Sequence, residues 1–424
     1  KPLRNTIPVF FPMNWLYAIV LPWGVSIKFT IKCPFGSRST KMNKKKYTIV
    51  QILPALNTGG VERGVVEISK ALIDHDFRSI VVSSGGHMVP QLKRNGTIHY
   101  ELDVQTKNPF KWPKIRSQLK VILENEKVDL IHLCSRAPAW IAFPLGSILN
   151  VPILTSVHMR FRKSNFLKKY YNSILTKGNS IIAISKHIED SIKKSFPKVS
   201  NKIKIIHRGV DLDLFNPANI KPARIIAQSK LLNLKDNLPV IIMAARPAMW
   251  KGYLSLIKAL SKVDENYQCV LIGAGDGSRK FQDILIKQIV KFNLETKVKL
   301  VKSSRDIQAS LILGDIIIMP SVTPEPFGRI ILEAQALGKI PIAFDHGGAS
   351  ETIINGKNGF LAEPLSIQSL SEKISLALSL ETIKREKMGD YSKKFVSKNF
   401  SHDRMCKLTL SLYKQCIAEY KTNG

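Results

Sequence analysis

From Tyr47 onward, short apolar runs rich in β-branched residues alternate with segments of helical spacing. "YTIVQILPAL" reads as a buried strand. The stretch after it, "GGVERGVVEISKALIDH", sets Val61, Val65, Val66, Ile68, Ala71 and Leu72 on one helical stripe. "RSIVVSS", "VDLIHLCS", "PILTSVHM", "SIIAIS" and "IKIIHRGV" continue the strand series, with helical segments between most of them. Apolar strands alternating with helices predict parallel βαβ units covered on both faces.

Around "RGVDLDLFNPANIKPAR" the rhythm breaks, and Pro217 and Pro222 mark a linker. A second series follows: "LPVIIMAARP", "YQCVLIGAGDG", "VKLVKS", "DIIIMPS" and "IPIAFDHGG". The pattern therefore predicts an α/β protein with two Rossmann-like, doubly wound domains at 47–212 and 213–385. Helices over 386–424 follow and are expected to return to the first domain, and an extension over 1–46 precedes. Folds of this kind bind ligands at the carboxyl ends of their strands, here in a cleft between two facing sheets.

The extension differs from the rest. Residues 5–27 carry no charge, long enough for a bilayer at ~20 residues, but Pro8, Pro12 and Pro22 interrupt the run. Met42, followed by "NKKKYTIVQIL", reads like an ordinary protein start. Residues 1–41 are expected to be an upstream extension without a folded role, with a membrane anchor as the rival reading.

Composition narrows the partners. The five cysteines show no C-x-x-C spacing, which speaks against a disulfide framework or a zinc cluster and suits a reducing compartment. The formal charge of +32 bears on partners and solubility, not on fold. Its lysines are spread along the whole chain, which fits a compositional bias first and an anionic membrane surface second. Nucleic acid is not expected, because neither zinc-finger spacing nor an RNA-recognition signature is present.

The stretch "PEPFGRIILEAQALGKIPIAFDHGGASE" holds Glu325 and Glu333, eight positions apart. "EPFGRIILEAQA" followed by "GGASE" resembles the signature of the retaining glycosyltransferases of family 4, which have the GT-B fold. Other segments match that family in order: "LNTGGVER" its glycine loop, "TSVHM" its strand-end histidine, "AISKHIED" and "IIHRGVDLDLFNP" the approach to its hinge. "AARPAMWKG" resembles its Arg-x4-Lys segment, "LIGAGDG" its central glycine turn, and "FSHDRMCKLTLSLY" the helix that crosses back to the first domain. The resemblance implies sugar transfer from a nucleoside-diphosphate sugar to a glycan or glycolipid hydroxyl, in cell-envelope glycan or lipopolysaccharide synthesis. It also implies a front-face route in which the departing phosphate helps deprotonate the acceptor.

The residue chemistry fits such a donor. A diphosphate needs positive charge and backbone N–H groups. "PFGRIILEA" supplies them as a turn at Phe327 and Gly328 into a helix beginning near Arg329, since a helix N-terminus is an anion site. Arg246 and Lys251 follow the strand "VIIMAA" and can project into the cleft. Glu333 is expected to take ribose hydroxyls and Glu325 the donor-sugar hydroxyls. The bland reading is a pair of solvated glutamates flanking a helix start. His158, ending "PILTSV", is expected to bond a sugar hydroxyl or the developing charge, against the alternative of a surface histidine beside Arg160 and Arg162. Gly59 and Gly60 are expected to let substrate approach the backbone, or else simply to turn the chain into a helix.

Three further motifs carry less. Asp211 and Asp213 form a D-x-D beside the hinge and read as structural, so no metal or other cofactor is expected. "GAGDGS" lacks the last glycine of a dinucleotide fingerprint and sits inside the second half. "HMRFRKSNFLKKYYNSILTKG" mixes basic and aromatic residues and reads equally as a membrane-facing patch or an amphipathic helix. The expected location is cytoplasmic, with peripheral attachment to the inner face of the cytoplasmic membrane as the extension of that reading. The rivals are a sugar-nucleotide epimerase, a glycan phosphorylase of similar fold, or a non-catalytic glycan- or membrane-binding protein.

Overall fold

Two separate all-parallel sheets organise the chain. The computed structural model describes residues 16–20, 26–30, 46–57, 59–161 and 165–423. In the N-terminal unit, β1 (Leu16–Val20) pairs antiparallel with β2 (Ser26–Thr30). The described part of the uncharged run over 5–27 is thus extended chain. The other expectations for residues 1–45 lie outside the described residues. Among the described residues no helix is long and apolar enough to cross a membrane.

The unit from Tyr47 onward has two lobes. The first contains β3 (Thr48–Ile52), α1 (Gly60–Asp74), β4 (Arg78–Ser83), α2 (Val89–Arg94) and β5 (Ile98–Glu101). It continues through α3 (Trp112–Asn125), β6 (Leu130–Leu133), α4 (Arg136–Ile148), β7 (Ile153–Val157) and α5 (Phe166–Ser173). β8 (Ser180–Ala183), α6 (Lys186–Ser195) and β9 (Ile203–Ile205) complete it. Its strand order is β5-β4-β3-β6-β7-β8-β9.

The second lobe opens with α7 (Pro222–Leu231), β10 (Val240–Ala244), α8 (Tyr253–Leu260), β11 (Gln268–Ile272) and α9 (Arg279–Lys291). Next come β12 (Val298–Val301), α10 (Ile307–Ile312), β13 (Ile316–Met319), α11 (Arg329–Ala336) and β14 (Ile340–Phe344). α12 (Ala349–Thr352), β15 (Phe360–Ala362), α13 (Ile367–Leu378), α14 (Thr382–Phe400) and α15 (His402–Asn423) close the chain. The strand order is β12-β11-β10-β13-β14-β15.

Strand alternation explains the layers. Ile49 on β3 packs with Ile68, Leu72 and Tyr413, while its neighbours Val50 and Ile52 pack with Leu119, Ile141 and Leu145 on the other face. Each sheet reverses its order once, between β3 and β6 and between β10 and β13. Those reversals are where open α/β sheets form ligand crevices at their carboxyl ends.

The terminal helices require a correction. The whole stretch 386–424 was expected to return to the first lobe, but only α15 does so. There Met405, Leu410, Tyr413 and Ile417 cover Ile49, Leu130 and Leu154. α14 stays on the second lobe because it approaches α11 too closely to leave it: a Cβ at Gly389 would lie 2.5 Å from the carbonyl oxygen of Gly338. The chain crosses between lobes twice at one place, where Val210 and Ser401 form a parallel bridge.

Candidate active site

Two loops of the second lobe build one rigid surface. They follow β10 and β13, the strands that flank the sheet reversal, and the Val322 N–H donates to the Trp250 carbonyl at 2.9 Å. Gly252 has φ 88°, and a Cβ there would lie 1.7 Å from the Pro320 oxygen, so only glycine permits this approach. The result brings Lys251 Nζ to 2.7 Å from Glu325 Oε1, with both side chains mostly buried. The Ser321 hydroxyl donates to the same carboxylate oxygen. The Lys251 ammonium also sits 4.5 Å from the centre of the Trp250 ring. His346 donates from Nε2 to the Ser321 carbonyl at 2.8 Å, and burial holds its ring below the ordinary histidine range.

The "GGASE" turn supports this loop from behind. The Gly348 N–H donates to the Glu325 carbonyl at 2.9 Å. A Cβ on Gly347, at φ 67°, would meet that same carbonyl at 2.5 Å. Gly328, at φ 81°, then starts α11 with no side-chain cap; the Ile331 N–H turns back to the Gly328 carbonyl at 3.1 Å, which leaves the N–H groups of Arg329 and Ile330 to face an anion.

α11 faces α1 of the first lobe. Arg63 Nη1 lies 3.3 Å from Glu333 Oε1, and Arg329 Nη2 lies 2.9 Å from Glu67 Oε1. These crossed pairs tie the carboxyl ends of the two sheets together. They leave Arg329 Nε and Nη1 and Glu67 Oε2 shielded from solvent and without hydrogen-bond partners, polar groups that a ligand between the lobes would satisfy.

The first lobe contributes a buried polar layer beneath α1. His158 directly follows β7, and its Nδ1 lies 2.9 Å from Arg208 Nη2. His132 bonds the Tyr413 hydroxyl through Nδ1 at 2.7 Å and the Ser156 hydroxyl through Nε2 at 2.6 Å. Burial, with Arg208 nearby, lowers the His132 pKa to about 3. Burial pushes the Cys134 thiol up to about 12, so it is not a nucleophile at neutral pH. His158, Arg208, Gly64 and Cys134 line one cavity.

The structure places the expected residues unevenly. Glu325 and Lys251 meet directly, and Arg246 on the same loop is exposed and makes no ion pair among the described residues. Glu333 and Arg329 reach the cleft but are engaged across it. Gly60 opens α1, with nothing within 4 Å of where its Cβ would lie, while Gly59 is extended backbone at φ 179°. Phe327 needs correction as a donor contact: its ring is 3% exposed and packs against His207 and Phe400 at 5.8 and 6.1 Å. A ring that large gains more from the hinge core than from a polar cleft.

The other motifs resolve locally. Asp211 Oδ1 accepts the N–H groups of Asp213 and Leu214, which makes it a turn cap. Ser278, in place of the missing glycine, caps α9. Among residues the sequence did not single out, Glu351 accepts the N–H groups of Lys186 and His187 at 2.7 and 2.8 Å. Arg63, Glu67 and Arg208 were also missed. Arg208 lies in "IIHRGVDLDLFNP", which the sequence marks only as the approach to a hinge.

Comparison with known proteins bears on this arrangement. Residues 58–214 match the model described as Glycosyltransferase Family 4, and residues 225–395 match Glycosyl transferases group 1. A crystal structure of a glycosyltransferase from Rickettsia africae ESF-5 is 35% identical, covering 88% of this chain and 99% of that one at a TM-score of 0.82. Anabaena HepE in complex with UDP-glucose superposes with a TM-score of 0.74 at 23% identity, over 89% of this chain and all of that one, showing a shared fold. The N,N'-diacetylbacillosaminyl-diphospho-undecaprenol alpha-1,3-N-acetylgalactosaminyltransferase of Campylobacter jejuni is 26% identical over 75% of this chain and 86% of its own length.

Proposed function

Because this chain belongs to glycosyltransferase family 4, with the two-lobed GT-B fold, we propose that it moves a sugar from a nucleoside-diphosphate donor to a hydroxyl acceptor with retained anomeric configuration. The observation that carries this reading is the Lys251–Glu325 pair at the β10/β13 reversal, next to the uncapped N-terminus of α11 and the exposed Arg246, which has no ion pair among the described residues.

In the proposed reaction the bond between the anomeric carbon and the diphosphate oxygen breaks, and the acceptor oxygen bonds to that carbon on the same face. The acceptor proton passes to the departing diphosphate. Arg246, Lys251 and the α11 N-terminus stabilise the charge that develops on the leaving group, a preorganised effect worth ~10²–10³ in rate per key donor. Glu325 accepts from donor-sugar hydroxyls while Lys251 holds its carboxylate in place. Glu333 accepts from the ribose once Arg63 yields it.

The acceptor is proposed to be a glycan or glycolipid of the cell envelope. Support comes from the Campylobacter relative, whose name includes a diphospho-undecaprenol, and from the rim of the first lobe. There Phe110, Phe166 and Leu167 are 91, 80 and 73% exposed among lysines, a surface suited to peripheral attachment on an anionic membrane. No divalent ion takes part in the proposal.

The test is a panel of sugar nucleotides offered with lipid-linked and free glycan acceptors in EDTA. The expected products are free nucleoside diphosphate and an elongated acceptor. Inverted product, epimerised donor, or sugar phosphate released from a glycan would each replace this reading with another.

A further inference from the structure

The ring of His158 is held on one side only. Its Nδ1 faces Arg208 Nη2 at 2.9 Å, while its Nε2 is shielded from solvent and has no hydrogen-bond partner. Arginine offers donors and no acceptor. In this contact Nδ1 must therefore be the acceptor, so the proton of the neutral ring sits on Nε2. We propose that Arg208 is a positioning residue that fixes His158 as the neutral Nε2–H tautomer, so that the ring presents a hydrogen-bond donor to a substrate oxygen and never acts as a cation or a base.

The surroundings enforce this. Arg208 is 7% exposed and makes no ion pair with a carboxylate among the described residues. Its nearest acidic neighbours are on α1: Glu67, already bonded to Arg329, and Glu62. From β6 His132 contributes a neutral ring, and just after it Cys134 contributes a protonated thiol. From α15, Met405 and Thr409 contribute no charge. Protonating His158 would set an Nδ1–H against the guanidinium N–H. Burial, then Arg208, then His132 all push its titration well below the ordinary histidine value.

The guanidinium is seated by the absence of a side chain. A Cβ on Gly64 of α1 would lie 1.9 Å from Arg208 Nη1. The backbone following it is equally confined, since a Cβ on Gly209 would lie 2.6 Å from the His402 backbone. Arg208 thus has one orientation, and His158 inherits it. Sequence-remote residues on β6, β7, α1 and the segment after β9 define a single protonation state, a role for "HRGVD" distinct from its hinge function. This inference rests on the sugar-transfer reading only for the identity of the substrate oxygen.

The experiment is nitrogen NMR of the full-length protein carrying 15N-histidine, with His158 assigned by its loss in His158→Gln. The expected spectrum shows a pyridine-type Nδ1 and a pyrrole-type Nε2, without titration from about pH 5 to pH 8. Arg208→Met should give mixed tautomers and lower kcat/KM by about 10- to 100-fold, mostly in kcat, the range of a hydrogen bond to a charged centre. Arg208→Lys, which keeps a donor-only group, should restore much of both. Gly64→Ala, which displaces the guanidinium without removing its charge, should act like Arg208→Met and covers the case where that variant does not fold.

An Nδ1–H tautomer in the wild type, a His158 that titrates at the ordinary value, or an unchanged spectrum in Arg208→Met each overturns the proposal. If the spectra follow expectation but no donor is turned over by the wild type, the tautomer lock stands and the transferase reading fails.

Discussion

Glu351 and His207 meet across the two lobes at 3.0 Å, and the same carboxylate accepts two backbone N–H groups at the start of α6. One acidic side chain of the second lobe thereby caps a helix of the first. Replacing a capping acceptor costs about 0.5–2 kcal/mol. Glu351→Ala is expected to lower the melting temperature by about 1–2 °C for a protein of this size, with Glu351→Gln in between. Thermal unfolding followed by fluorescence measures this, and equal melting temperatures for all three proteins would mean the contact is not made in solution.

Arg246 and Lys251 should separate function from stability. Both are expected to support turnover, so Arg246→Ala and Lys251→Met should each reduce kcat by ~10²–10³. Only Lys251 is paired with a buried carboxylate, and removing one partner of such a pair leaves an uncompensated charge at about 3–5 kcal/mol. Urea unfolding should therefore show a loss in Lys251→Met and almost none in Arg246→Ala. A stable Lys251→Met protein would show that Glu325 is solvated after all.

The buried His132 predicts acid sensitivity. Its folded pKa of about 3 lies below the unfolded value of 6.5. Between these limits the unfolded chain binds the extra proton, so stability rises with pH through this window and is lost on acidification. At a slope of up to about 1.4 kcal/mol per pH unit, moving from pH 7 to pH 5 should cost about 2 kcal/mol from this residue alone. His132→Gln should flatten that slope, as read from denaturant titrations at each pH. An unaltered slope would assign the acid sensitivity to other groups.

Gly252→Ala tests the seam between the two loops that hold Lys251 and Glu325. The substitution adds a methyl 1.7 Å from the Pro320 carbonyl at a backbone conformation alanine rarely adopts. The expected cost is at least ~1–3 kcal/mol, together with a loss of turnover as Lys251 moves from Glu325. A fully active, equally stable variant would contradict the close approach.

The sequence made the sheets legible because buried parallel strands write themselves as apolar runs. It missed Ile98–Glu101 and Phe360–Ala362, edge strands of four and three residues, too short for an apolar run to stand out. Glu325 and Lys251, 74 positions apart, were both expected to face the cleft, and the structure brings them together because the strands they follow, β13 and β10, are neighbours at the sheet reversal. The crossed pairs Arg63–Glu333 and Arg329–Glu67 were not, since no local pattern records which helix will face another across a cleft. Phe327 misled for a related reason: next to a glycine turn its neighbours suggest a ligand contact, and only the distant arrival of Phe400 makes it core.

The return of α15 to the first lobe affects how the protein is made. β3 to β9 are all synthesised by residue 205, but the face bearing Ile49, Leu130 and Leu154 is covered by residues from Met405 onward. α1 covers part of that face early through Ile68 and Leu72, but at a ribosomal pace of ~5–20 residues per second the part left for α15 stays exposed for on the order of ten seconds or more while the second lobe is translated. The nascent polypeptide is therefore a natural client for chaperones at the exit tunnel, and its first half is not a unit that expression on its own would deliver intact.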